Sequence, residues 1–133
     1  MSWNVKLSEV TTQLEVIPEG KYTFQVAGAN WDERDNSRLN VRAVIVSEGT
    51  QQGRKVMFSL PDAERYKWVA VSMKRLEQAL GVEKSDDEDP AAYLNRAVGN
   101  KFITNMQHRK YTPEGGSEIV RSEVNIFNFD PAV

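Results

Sequence analysis

The sequence predicts a mainly β domain of five strands, with one amphipathic helix and then a second short helix inserted between the third and fourth. Three observations predict it. Runs with an apolar-polar period of two recur five times, each bounded by Gly, Pro, Asn or Asp. A single stretch, 61–81, carries a helical period instead, with Val69, Met73, Leu76 and Leu80 at i, i+4, i+7 and i+11. An Asp-Pro pair at 89–90 then opens AAYLNRAV in the manner of a capped helix with proline at its first position.

The first run follows Pro18-Glu19-Gly20, whose fixed proline φ and permissive glycine suit a turn. In KYTFQVAGANW, Tyr22, Phe24 and Val26 face one way and Lys21, Thr23 and Gln25 the other. Gly28 marks a place where a long strand coils or bulges. The polar loop NWDERDNS leads to the central hairpin, residues 38–60. There Leu39, Val41, Ala43 and Ile45 alternate with Arg38, Asn40 and Arg42, and Val56, Phe58 and Leu60 alternate with Lys55, Met57 and Ser59. Each strand can thus seal a core with one face and offer cations, an amide and a thioether on the other. Pro61-Asp62 is the expected helix start, with Asp62 as its cap, and Gly81 the expected stop. The acidic segment 83–89 reads as a solvated linker. Residues 99–111 and 117–129 are the last two strands, separated by TPEGG.

Strand, strand, strand, helix, strand, strand is the order of the OB-fold, a five-stranded Greek-key β-barrel. A small α+β roll and an SH3-like barrel with an inserted helix share much of the pattern. The expected organisation is an N-terminal arm or edge strand over 1–16, one domain over 17–129 and a short C-terminal end at 130–133. At 133 residues, 40% hydrophobic and 27% charged, the chain suffices for one core and not for two ordinary domains.

With no cysteine, disulfides, thiolate zinc sites and a thiol nucleophile are excluded. The N-terminus has no apolar signal-like core, and no run approaches the ~18–20 apolar residues of a membrane helix. A cytoplasmic protein without membrane contact is expected. The net charge of −2 does not announce a nucleic-acid binder, but its distribution is uneven. Residues 38–60 carry Arg38, Arg42, Arg54 and Lys55 against Glu48, whereas 83–90 carry Glu83, Asp86, Asp87, Glu88 and Asp89 against Lys84. An acidic loop therefore offsets a basic face in the total.

The stretches IPEGKYTFQVAGANW, RLNVRAVIVSEGTQQGRKVMFSLP, WVAVSMKRLEQALG, AVGNKFITNMQHRKY and EVNIFNF together resemble small bacteriophage OB-fold proteins that bind single-stranded DNA in replication and recombination modules. The likeness spans roughly residues 17–129 and is one of order and spacing, carried by a PxGxY strand opening, the EG…GRK hairpin and a GxKF strand opening. It implies DNA coating with little sequence preference, no catalysis and no cofactor. The partners it implies are single-stranded DNA and replication or recombination proteins, in the cytoplasm of a host cell, with a homo-oligomer left open.

Coating a single strand requires cations for phosphates and flat side chains for bases. In an OB-fold that surface lies across strands two and three and the loops after strands one and four. The expected contact residues are therefore Lys21, Trp31, Arg34, Arg38, Asn40, Arg42, Lys55, Met57, Arg109, Lys110 and Tyr111. The blander reading of the cations is an ordinary solvated face, and Trp31 and Tyr111 are equally well barrel caps. Trp68, beside Val69 on the helix, reads as core, as do Tyr22, Phe24, Phe58 and Phe102. His108, the single histidine, has no acid near it in sequence and reads as a surface residue.

Other chemistries find less support. The run 86–89 lacks the spaced ligands and glycine of a calcium loop, so a metal-dependent nuclease is the weakest reading. GTQQGRK differs from a phosphate-binding loop in glycine spacing, and Val56 stands where that loop needs Ser or Thr. The main alternative to DNA coating is a protein-interaction module of the same fold that engages a replication enzyme or host factor.

Overall fold

A computed structural model describes residues 16–132; the expected arm, apart from its last residue, lies outside that range. Six strands form one antiparallel sheet: β1 (Gly20–Trp31), β2 (Leu39–Ile45), β3 (Lys55–Leu60), β4 (Lys101–Tyr111), β5 (Ile119–Val124) and the two-residue β6 (Asp130–Pro131). Two helices, α1 (Lys67–Leu80) and α2 (Pro90–Arg96), fall between β3 and β4. The strands lie in the order β3-β2-β1-β4-β5, with β6 on β4. The mainly β class, the five main strands and the two inserted helices are as the sequence predicts. The closed barrel is not: β3 and β5 touch but do not pair, so the sheet stays open at that seam.

Rings fill the interior where hydrogen bonds do not close it. Phe24 and Phe102 stack with centroids 5.4 Å apart, Phe58 and Phe129 pack on Phe102 from 6.2 and 5.4 Å, and all four rings are buried. At the seam Ile17 is buried, its N–H donating to Ser122 Oγ at 2.7 Å. Its carbonyl sits 2.6 Å from His108 Nε2, which therefore carries the donated proton. His108 is thus a half-buried clamp, with Glu19 accepting from its backbone N–H, and not the solitary surface residue expected. The acid it meets lies 89 residues away in sequence, beyond local inspection.

Two further boundaries differ from expectation for physical reasons. Asp62 caps a turn and not the helix: its carboxylate accepts from Glu64 N–H and its carbonyl from Tyr66 N–H. The helix begins only at Lys67, after Tyr66 with extended backbone and no side-chain cap. Its buried face is Val69, Ser72, Leu76, Ala79 and Leu80, with Met73 partly buried against the same core, so the expected apolar positions face inward and Ser72 and Ala79 join them. Gly81 ends the helix as expected, in the left-handed region at φ 72°. Finally β5 stops at Val124, because Thr104 Oγ1 lies 2.8 and 2.7 Å from the carbonyls of Asn125 and Asn128 and folds the chain over β4 into a turn.

The acidic segment is also folded. Arg96 holds Glu88 through two 2.9 Å bonds and donates to the Glu83 carbonyl, and the guanidinium keeps the Glu88 carboxyl below the usual carboxylate range. Asp89 caps α2, accepting from Ala92 N–H at 3.0 Å. Among the described residues no group of three acids or histidines is placed to hold a metal ion, and no helix is long and apolar enough to cross a membrane.

Candidate nucleic-acid interface

Alternation puts Val41, Ala43, Ile45, Phe58 and Leu60 in the core, so the residues between them form the outer face of β2 and β3. On β1 the alternation is interrupted. The register slips by one residue between Val26 and Gly28, a bulge that leaves Ala27 without a counterpart. Ahead of the bulge Phe24 and Val26 are buried; beyond it Ala29 is buried and Asn30 faces out. Without the bulge, Asn30 would enter the core and Ala29 would leave it.

Cross-strand pairing then builds three rows on this outer face. The first runs Lys55–Val44–Gln25–Lys101, the second Met57–Arg42–Gly28 and the third Ser59–Asn40–Asn30. Arg42, Lys55, Met57 and Lys101 are exposed, and no acid occupies the rows. Arg42 lies across the bulge: Nη1 donates to Asn30 Oδ1 at 2.9 Å, and Nη2 would be 2.6 Å from a Cβ on Gly28. Glycine is therefore what lets the guanidinium lie flat on the strand. Gly28→Ala should lift Arg42 off its seat and also strain the bulge, because the backbone there has φ 158° and the new Cβ would lie 3.3 Å from Asn95 Oδ1. Re-ordering one long side chain on binding costs ~0.5–1.5 kcal/mol, so affinity for a phosphate strand should fall about 2- to 10-fold, with a lowered melting temperature that reports the strain separately.

α2 secures the far half of this strand. Beyond Gln25, β1 no longer pairs with β4; instead the Asn95 amide both accepts from Ala29 N–H at 3.0 Å and donates to its carbonyl at 2.9 Å, as a neighbouring strand would. Asn40 is largely spent on positioning. It accepts from Ser59 Oγ and donates to Asp32, whose carboxylate also takes the N–H groups of Arg34 and Asp35. The Asn40 bond and those two amides hold the Asp32 carboxyl below its ordinary value.

The eleven residues singled out from sequence fall into three places. Asn40, Arg42, Lys55 and Met57 share the outer face just described. Trp31, Arg34 and Arg38 sit at the β1–β2 turn, and Lys21, Arg109, Lys110 and Tyr111 at the opposite end of their strands, where Gly20 meets Met106 and β4 runs on to Tyr111. They do not form one contiguous patch. Arg109 faces Arg121 across the ladder and has Glu123 3.4 Å from Nη1. Trp31 is 37% exposed, but its indole N–H is held by Asp89 Oδ1 at 3.0 Å. It lines a slot of about 380 Å³ with Leu60, Pro61 and Met73, on which Asp62 and Glu64 also border, a sign of charge that repels phosphate. Sequence reasoning missed Lys101, although its alternation with buried Phe102 was visible, and missed Asn30 because the bulge reverses its side. No protein-family model matches this chain, and no curated protein matches it either.

Proposed function

We propose that the chain binds single-stranded DNA with little sequence preference and without catalysis, as a phage-type coating protein of replication or recombination. The observation that carries this reading is the placement of Arg42, Lys55 and Lys101 on one exposed sheet face, in rows that hold no acid, with the amides of Gln25 and Asn30 among them. An exposed face with spaced cations suits a flexible phosphate backbone, and amides and a thioether suit bases of any identity. Fluorescence anisotropy with a labelled oligo-dT, competed by duplex DNA and by RNA, tests it. Single-stranded DNA should bind tighter than duplex, and three neutralised phosphates give a log–log salt slope of about −2. Absence of binding at low salt, or binding indifferent to salt, would overturn the reading and favour the protein-interaction module.

A further inference from the structure

The three rows of the sheet face supply cations but no aromatic ring, and stacking is half of what a coating protein needs. Apart from Trp31, whose indole N–H is held by Asp89, the exposed rings among the described side chains are gathered elsewhere. Tyr66 is 39% exposed at the start of α1, Trp68 is half-buried one residue into it, and Phe127 is 53% exposed in the turn after β5. Trp68 lies 5.0 Å from Phe127 and 6.4 Å from Tyr66 between ring centroids, so the three make a short ladder. The outermost ring is held in place by polar contacts. Phe127 N–H donates to Asn125 Oδ1 at 2.9 Å, Arg75 Nη1 donates to the Phe127 carbonyl at 2.5 Å, and buried Thr104 holds the turn from beneath. These bonds fix the backbone that carries Phe127 and leave its ring 53% exposed beside Trp68, so the exposed apolar surface here is contiguous over several rings.

Charge indicates which ligand. Val71 and Arg75 continue the Trp68 stripe along α1 at helical spacing, and Arg65, Lys67 and Lys74 lie alongside. Arg65 packs over the Tyr66 ring at 5.4 Å, and Lys74 is paired with Glu77, leaving Arg65, Lys67 and Arg75 against Asp62 and Glu64, a local excess of one cation. Aromatic rings interleaved with cations match the alternation of bases and phosphates along a single strand. The helix that bears them packs on β4 and β6, away from the outer face of β2 and β3.

We infer that Tyr66, Trp68 and Phe127, with Arg65, Lys67 and Arg75, form a second single-strand subsite in which bases stack on the rings and phosphates meet the cations. The inference rests on the DNA-binding reading above and adds its stacking half. Its test uses the full chain in two variants. Trp3→Phe with Trp31→Phe leaves Trp68 as the single indole, whose fluorescence should be quenched by oligo-dT and recover with salt. Tyr66→Ala with Phe127→Ala, both exposed side chains, should retain the wild-type melting curve and bind oligo-dT at least about 25-fold more weakly, the lower bound for two lost stacks. If wild type binds while Trp68 stays unquenched and the double variant keeps full affinity, the subsite is overturned and the sheet-face reading stands; the rings then serve a protein partner. If the double variant loses affinity while removal of Arg42, Lys55 and Lys101 changes nothing, the subsite stands and the sheet face falls. Failure of wild type to bind any single strand removes both.

Discussion

Phe102→Ala should destabilise the domain by about 3–5 kcal/mol, the usual range for truncating a buried aromatic residue. Its ring is fully buried and meets Phe24 from β1, Phe58 from β3 and Phe129 from the end of the chain. These contacts join elements from opposite edges of the sheet across a seam that lacks a hydrogen-bonded ladder. Two terms therefore add: the lost transfer of the ring from water, and a cavity that rigid neighbouring rings cannot collapse to fill. For a chain of this size the fall in Tm should be roughly 10–20 °C. Met57→Ala is the matched control, since Met57 is 62% exposed on the same sheet and its loss should stay within about 0.5 kcal/mol. Denaturant melts on both variants settle it. A loss under about 1.5 kcal/mol at Phe102 would mean that the seam, and not the ring cluster, carries the fold.

The elements legible in sequence were those whose signal is local. The alternation in LNVRAVI and KVMFSL gives both hairpin strands with their correct faces, Asp89-Pro90 gives the cap and first turn of α2, and Gly81 gives the end of α1. What sequence did not show depends on contacts between distant residues. The bulge at Ala27 reverses the facing of the rest of β1, and a period of two carries no memory of an inserted residue. Asp62 looks like a cap in sequence because its type and position fit, but it spends its acceptors on a preceding turn. Trp68 reads as core from its place beside Val69 and does pack on the core while partly exposed, but its exposed partner Phe127, 59 positions later, is fixed there by Thr104, Asn125 and Arg75, distant in sequence from the helix or from each other. For the candidate site the same division holds. Arg42, Lys55 and Met57 were readable as one face, whereas the distance of Arg109 and Lys110 from that face follows from strand direction, which composition does not encode.

Replacing Arg42, Lys55 and Lys101 together by Ala should weaken oligo-dT binding on the order of 100-fold at low ionic strength, at about 1 kcal/mol per exposed phosphate contact. The three side chains occupy two adjacent rows of one face, no acid stands in those rows and no ion pair engages them among the described residues, so their attraction for a polyanion is not already spent. Salt dependence separates loss of contacts from loss of fold. Three fewer displaced counterions make the log–log slope shallower by about 2, so raising salt from about 50 to 200 mM should shrink the gap between wild type and variant by about 20-fold. The melting curve should move little, since exposed side chains away from caps and core seldom cost more than about 0.5 kcal/mol. A control with the same change in net charge, Lys84→Ala with Arg109→Ala and Lys110→Ala, should bind within about 3-fold of wild type, because Lys84 lies beside the acidic segment and the other two sit at the far end of β4, with Arg109 already against Glu123. Equal losses in the two triple variants would show that affinity follows total charge and not the sheet face. A larger loss in the control would move the strand's path to the β4–β5 end, and Lys21, which pairs with Asn105 at that end, would become the next residue to test.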